Sequence, residues 1–107
     1  MPERSIVFSR RPPSHPGALM REIIEGPANL SVADAARRMG VSRQALREVL
    51  SGHSAVSADM ALRFARLTGG RAELFLRMQE SLDLWTARRR LGKELAWIRP
   101  IASKRLH

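Results

Sequence analysis

The chain contains no cysteine and no tyrosine among its 107 residues, and aromatic residues make up only 5% of it. The absence of cysteine excludes disulfides and thiolate metal sites. The scarcity of aromatics leaves few platforms for stacking unpaired bases, so an RNA-binding module is a weak reading. No apolar run approaches the length of a bilayer span, and the first residues lack the apolar core of a signal peptide, so a cytoplasmic protein without membrane contact is expected. Metal-ligand spacing is missing as well. His15, His53 and His107 are isolated from one another, and His15 reads as a polar helix cap. Carboxylates are scattered, and there is no glycine-rich phosphate loop and no nucleophile–base pairing. The chain is therefore expected to be no enzyme and to need no metal or cofactor. Repeats and low-complexity segments are also lacking.

The composition is dominated by positive charge. Nineteen Lys and Arg stand against ten Asp and Glu, a formal net charge of +9. Such a balance favours a polyanionic partner, most simply nucleic acid. The excess is uneven: residues 71–107 carry nine basic and four acidic side chains, while residues 16–70 carry seven and five.

Residues 30–52 carry the most informative pattern. Ser31 is an N-cap, and Val32, Ala35, Ala36 and Met39 follow at the spacing of one helical face. Gly40 ends that helix in a conformation suited to a residue without Cβ. Val41 plugs the core from the turn, and Ser42 caps a second helix. There Leu46, Val49 and Leu50 face inward, and Arg43, Gln44, Arg47 and Glu48 face outward. Ala36 is small enough for two steeply crossed helices to approach. Two capped helices joined by a short turn containing glycine form a helix-turn-helix. Arg and Gln at the start of its second helix have the reach and the donors to read base edges. An ordinary helical hairpin with a solvated polar face is the plainer alternative.

On either side the pattern is also helical. Residues 1–14 read as a flexible tail, with a short apolar run at Ile6-Val7-Phe8 and a helix-breaking Arg10-Arg11-Pro12-Pro13. A first helix starts at His15-Pro16-Gly17, with Pro at a position where its missing N–H costs nothing. It carries Leu19, Met20, Ile23 and Ile24 inward and stops at Gly26-Pro27. Ser57 caps a fourth helix, largely apolar from Met60 to Leu67 and ended by Gly69-Gly70. A fifth helix runs from Ala72 to about Leu91. Leu74, Phe75, Met78, Leu82 and Trp85 form a stripe for the core. Leu76, Leu84, Leu91 and Leu95 form a second stripe, more than a small monomer needs. A homodimer is expected through Leu84, Leu91, Leu95 and Trp97, the last two in an extension over residues 93–107. Arg88-Arg89-Arg90 reads as a basic helix end, and residues 97–101 as extended ahead of Pro100.

Several of these motifs together resemble a known family. His15-Pro16-Gly17, Gly40-Val41-Ser42-Arg43-Gln44 and residues 57–63 are similar to λ-repressor-like (Xre) helix-turn-helix domains. With Met78-Gln79, Asp83-Leu84-Trp85 and Ala87-Arg88, the chain resembles more narrowly the HigA-type antitoxins of toxin–antitoxin operons. The likeness covers about residues 15–92. It implies an all-α, five-helix domain with a long C-terminal helix that dimerises, represses its own operon at double-stranded operator DNA, and neutralises a RelE-like, mRNA-cleaving toxin. It places DNA recognition at Ser42, Arg43, Gln44 and Arg47. Glu48, Arg37 and Arg38 join them from the reading of the helix faces. Arg71 departs from the family, which usually has Ser or Thr at the start of the fifth helix. A stand-alone Xre-type repressor without a toxin is the alternative reading.

Overall fold

The computed structural model describes residues 11–101, and among these the secondary structure is entirely helical. Five helices follow in order: α1 (Pro16–Glu25), α2 (Val32–Met39), α3 (Arg43–Leu50), α4 (Ala58–Thr68) and α5 (Ala72–Trp97). The tail with Ile6-Val7-Phe8 and the last residues, 102–107, lie outside the described residues.

The ends of α1–α4 follow from their caps. Ser31, Ser42 and Ser57 each accept with Oγ from the backbone N–H three residues on, at 3.0, 3.0 and 3.1 Å. Each satisfies a donor that the first turn leaves orphaned. At the turn between α2 and α3, Gly40 takes φ 74°, and its N–H returns to the carbonyls of Ala36 and Arg37. Arg63 of α4 closes the same turn from outside, its Nη1 donating to the Met39 carbonyl at 2.7 Å.

In the fold α2 packs on α3 and α4, α1 packs on α3 and α5, and α4 packs on α5. Phe64, Phe75, Met20, Ile24 and Leu46 are the large, fully buried side chains at the centre. Each contributes roughly 1.5–3 kcal/mol by leaving water. Phe64 and Phe75 meet edge to face, with ring centroids 5.2 Å apart, and so lock α4 onto α5. Ala35 and Ala36 are both buried where α2 crosses its neighbours.

The fifth helix differs from expectation in three ways. It ends at Trp97, not near Leu91, because Gly92 keeps ordinary helical torsions and Lys93-Glu94-Leu95-Ala96 propagate the helix beyond it. Trp97 is accordingly its last residue and not part of an extended segment. The stop comes before Pro100, which disfavours helix at the residue preceding it. Arg88-Arg89-Arg90 lies inside α5 and not at its end. Finally, the core face is centred on Ala72, Phe75 and Gln79, with Leu76 packed beside it. Leu74, roughly 130° around the helix from the middle of that face, is therefore exposed, while Leu76, roughly 70° from it, belongs to the monomer core.

Beyond Trp85 the helix leaves the core, and nearly every residue on it is exposed. No helix among the described residues is long and apolar enough to cross a membrane.

Candidate nucleic-acid interface

The fold presents one face of α3 to solvent and buries the other. Leu46, Val49 and Leu50 are buried, while Arg43, Gln44, Arg47 and Glu48 are exposed, as is Ser42 at the cap. The 3.6-residue period alone makes this division. Packing then fixes the roll of the helix, because its three inward residues seat against α1 and α2.

How firmly α3 is held depends on the His-Pro-Gly start of α1. The Nδ1 of His15 accepts from the Gly17 N–H at 2.8 Å, and its Nε2 donates to the Ser54 carbonyl at 2.9 Å. The imidazole thus caps α1 and clamps the loop that follows α3. Gly17 lies directly on the last turn of α3, where a Cβ would overlap the Val49 carbonyl oxygen. From the other side Gln79 of α5 holds the same loop. Its Oε1 accepts from the Val56 N–H at 2.9 Å, and its Nε2 donates to Asp83 at 2.9 Å. Gln79 is buried, so this pairing satisfies a polar group that would otherwise be costly.

On the outer face only some of the polar side chains have partners. Arg43 and Arg47 form no ion pair among the described residues, which leaves their guanidinium donors available. Glu48 is not paired with an arginine. It accepts from Gln44 at 3.1 Å and from the Ser54 hydroxyl at 3.2 Å. On α2, Arg38 is exposed and forms no ion pair among the described residues, whereas Arg37 bonds to Asp34 at 3.2 Å. That guanidinium, together with the Ser31 hydroxyl, holds the Asp34 carboxyl below the usual carboxylate range. On α5, Arg89 lies over the Trp85 ring at 4.9 Å, and Arg88 and Arg90 are exposed beside it. Leu84, Leu95 and Trp97 are exposed and Leu91 is half-buried.

Three residues that position this face are absent from the set expected by sequence. Ser54 acts at a distance in sequence, through a loop, and no local pattern marks it, while Arg63, acting through α4, was visible only as part of the resemblance over residues 57–63. Gln79 was likewise visible only as part of a resemblance, because a polar residue at a core position gives no hydrophobic signal.

The Helix-turn-helix family model matches residues 20–75. The antitoxin HigA-1 of Vibrio cholerae is 30% identical over 92 residues, 86% of either chain. The chain belongs to the helix-turn-helix family of HigA-type antitoxins. Virulence-associated protein I of Dichelobacter nodosus, another relative, is 37% identical over 73 residues, 68% of either chain. Among solved structures, the Pseudomonas aeruginosa antitoxin HigA with the higBA promoter superposes with TM-score 0.75 at 30% identity. The match covers 84% of this chain and 99% of that one. An addiction module antidote protein of the HigA family from Coxiella burnetii gives 0.76 at 26% identity, over 85% and 100%. These HigA-type neighbours share the all-α fold.

Proposed function

We propose that this chain is the antitoxin of a toxin–antitoxin module: a dimer that represses its own operon and neutralises a RelE-like, HigB-type toxin. The exposed Arg43-Gln44-Arg47 face, held rigidly at the capped start of α3, carries the DNA half of this reading. A similar antitoxin has been seen with its promoter, which supports the same use of α3 here. Arg43 donates to guanine O6 and N7, and Gln44 reads the neighbouring base. Ser42, Arg47, Arg38 and, through its free donors, Arg37 bind phosphates that fix the register. Two α3 helices in a dimer enter half-sites about one DNA turn, ~34 Å, apart. The projecting half of α5, with Leu84, Leu91, Leu95 and Trp97, is the surface that pairs the two copies. The name shared by its relatives supports the toxin half, and the toxin is held on a surface away from α3.

Three measurements test this. Arg43→Ala should weaken operator binding by about 1–3 kcal/mol and flatten preference at one base position. A uniform loss on every single-base variant would make Arg43 a phosphate clamp only. Co-expression with a small RelE-like, HigB-type protein should give a stoichiometric complex. The double variant Arg43→Ala, Gln44→Ala should lose the operator yet still protect cells. A folded chain that binds DNA but captures no toxin is a stand-alone repressor.

A further inference from the structure

A carboxylate on the outer face of α3 stands where a polyanion docks, and its hydrogen bonds assign it a task. Glu48 Oε2 accepts from the Gln44 Nε2 one turn earlier, at 3.1 Å. Its Oε1 accepts from the Ser54 hydroxyl at 3.2 Å. Ser54 is itself anchored, because its N–H donates to the Glu48 carbonyl at 3.0 Å. Its own carbonyl accepts from His15 Nε2 at 2.9 Å. The carboxylate is therefore tied through Ser54 to the start of α1, and both its oxygens already have protein donors.

A glutamine amide left alone has no fixed polarity, since half a turn about its last bond exchanges donor and acceptor. The bond to Glu48 removes this freedom. Turning the Gln44 amide over would set its Oε1 against a carboxylate oxygen. Nε2 is held toward Glu48, Oε1 is turned away from it, and the second Nε2 hydrogen stays available next to Oε1. Base edges differ in that pattern. Adenine offers the N7 acceptor beside the N6 amino donor, and cytosine offers its amino donor. Guanine offers two acceptors, and thymine an acceptor with a methyl group. An amide of fixed polarity matches adenine with two bonds and cytosine with one. At guanine and thymine its oxygen faces another acceptor.

We infer that Glu48 is a specificity-determining positioning residue, fixing the Gln44 amide so that the base beneath it is read as adenine first and cytosine second. The inference rests on α3 being the DNA-reading helix. Glu48 acts without touching DNA, and its charge weakens binding to all sequences alike, since it stands close to phosphates. It thus lowers affinity everywhere while raising discrimination at one position. Neither a base contact nor a residue needed only for folding has that signature.

The test uses the full chain and a pool of duplexes randomised over about two helical turns (~21 bp). Selection and sequencing are done for the wild type, Gln44→Ala, Glu48→Ala, Glu48→Gln and Ser54→Ala, each checked for folding by circular dichroism. The wild type should select a motif with one adenine position per half-site, preferred about ten-fold over guanine. Gln44→Ala should lose that position alone. Glu48→Ala should bind the best site at least as tightly while its preference falls below about three-fold, and Ser54→Ala should follow it part of the way. Glu48→Gln, whose own amide can turn over and offer either group to Gln44, should fall between the wild type and Glu48→Ala. Full preference in Glu48→Ala, a preference in Glu48→Gln weaker than that of Glu48→Ala, or an unchanged motif in Gln44→Ala overturns the inference and leaves α3 as the reading helix. A wild type that selects no motif overturns that reading as well.

Discussion

Gly17 sits where the first turn of α1 meets the last turn of α3. A Cβ there would overlap the carbonyl oxygen of Val49 and stand 2.9 Å from that of Leu50. Backbone atoms of a packed helix yield far less than the tip of a side chain. Gly17→Ala should therefore cost about 3 kcal/mol or more, at the upper end of overpacking penalties. Gly92 is the contrast. It lies inside α5 with nothing within 4 Å of the added carbon. Gly92→Ala should raise stability by about 0.5–1 kcal/mol, because it reduces the freedom of the unfolded chain. Thermal melts of both variants check the pair. Equal and small effects would mean that α1 does not press on α3 as described. The triplet around Gly17 is then intelligible residue by residue. His15 supplies a cap and a clamp, Pro16 a preset first turn, and Gly17 room for a neighbouring backbone.

At the scale of elements, α5 starts without the device used elsewhere. Arg71 has extended torsions suited to an N-cap but no side-chain hydrogen bond to the helix, unlike Ser31, Ser42 and Ser57. Arg71→Ser should stabilise the fold by about 1 kcal/mol, read as a rise in the denaturant midpoint at constant slope. Further along, Gln79 joins α5 to the loop between α3 and α4. Gln79→Met keeps the volume but leaves the buried Val56 N–H without its acceptor. The expected loss is about 1–3 kcal/mol, the cost of an unsatisfied buried group. Hydrogen exchange at Val56 should quicken more than exchange in α2. If both amides change together, the effect is on global stability and not on this joint.

For the whole molecule, the charge and the long helix make separate predictions. The projecting half of α5 leaves Leu84, Leu95 and Trp97 exposed, and a second copy would cover them. Sedimentation at micromolar concentration should give twice the chain mass, and Leu91→Asp with Leu95→Asp should give the monomer. A wild-type monomer that still binds its operator tightly would remove the dimer. The net charge of +9 leads to a second expectation. Each phosphate neutralised by Arg38, Arg43, Arg47 or the Arg88–Arg90 run releases a condensed counterion, so log affinity should fall steeply with log salt. A nearly flat plot would confine the footprint to a few contacts around α3.

Local chemistry was enough to place the helix-turn-helix from the amino-acid sequence alone. Serine caps, the glycine at Gly40 and the 3.6-residue spacing act within a turn or two of chain, so they are legible without any tertiary information. The same holds for the outward face of α3, since the side opposite Leu46, Val49 and Leu50 must meet solvent. The end of α5 was less legible, because Gly92 stops a helix in one context and is carried through it in another. Which of the leucines on α5 enter the core was decided only when α1 and α4 packed against it, burying Leu76 and leaving Leu74 outside. The hydrogen bonds that set Gln44, through Glu48, Ser54 and His15, join residues up to 39 positions apart. Such bonds exist only once the fold has brought the start of α1 beside the end of α3, and no period or motif in the chain records them.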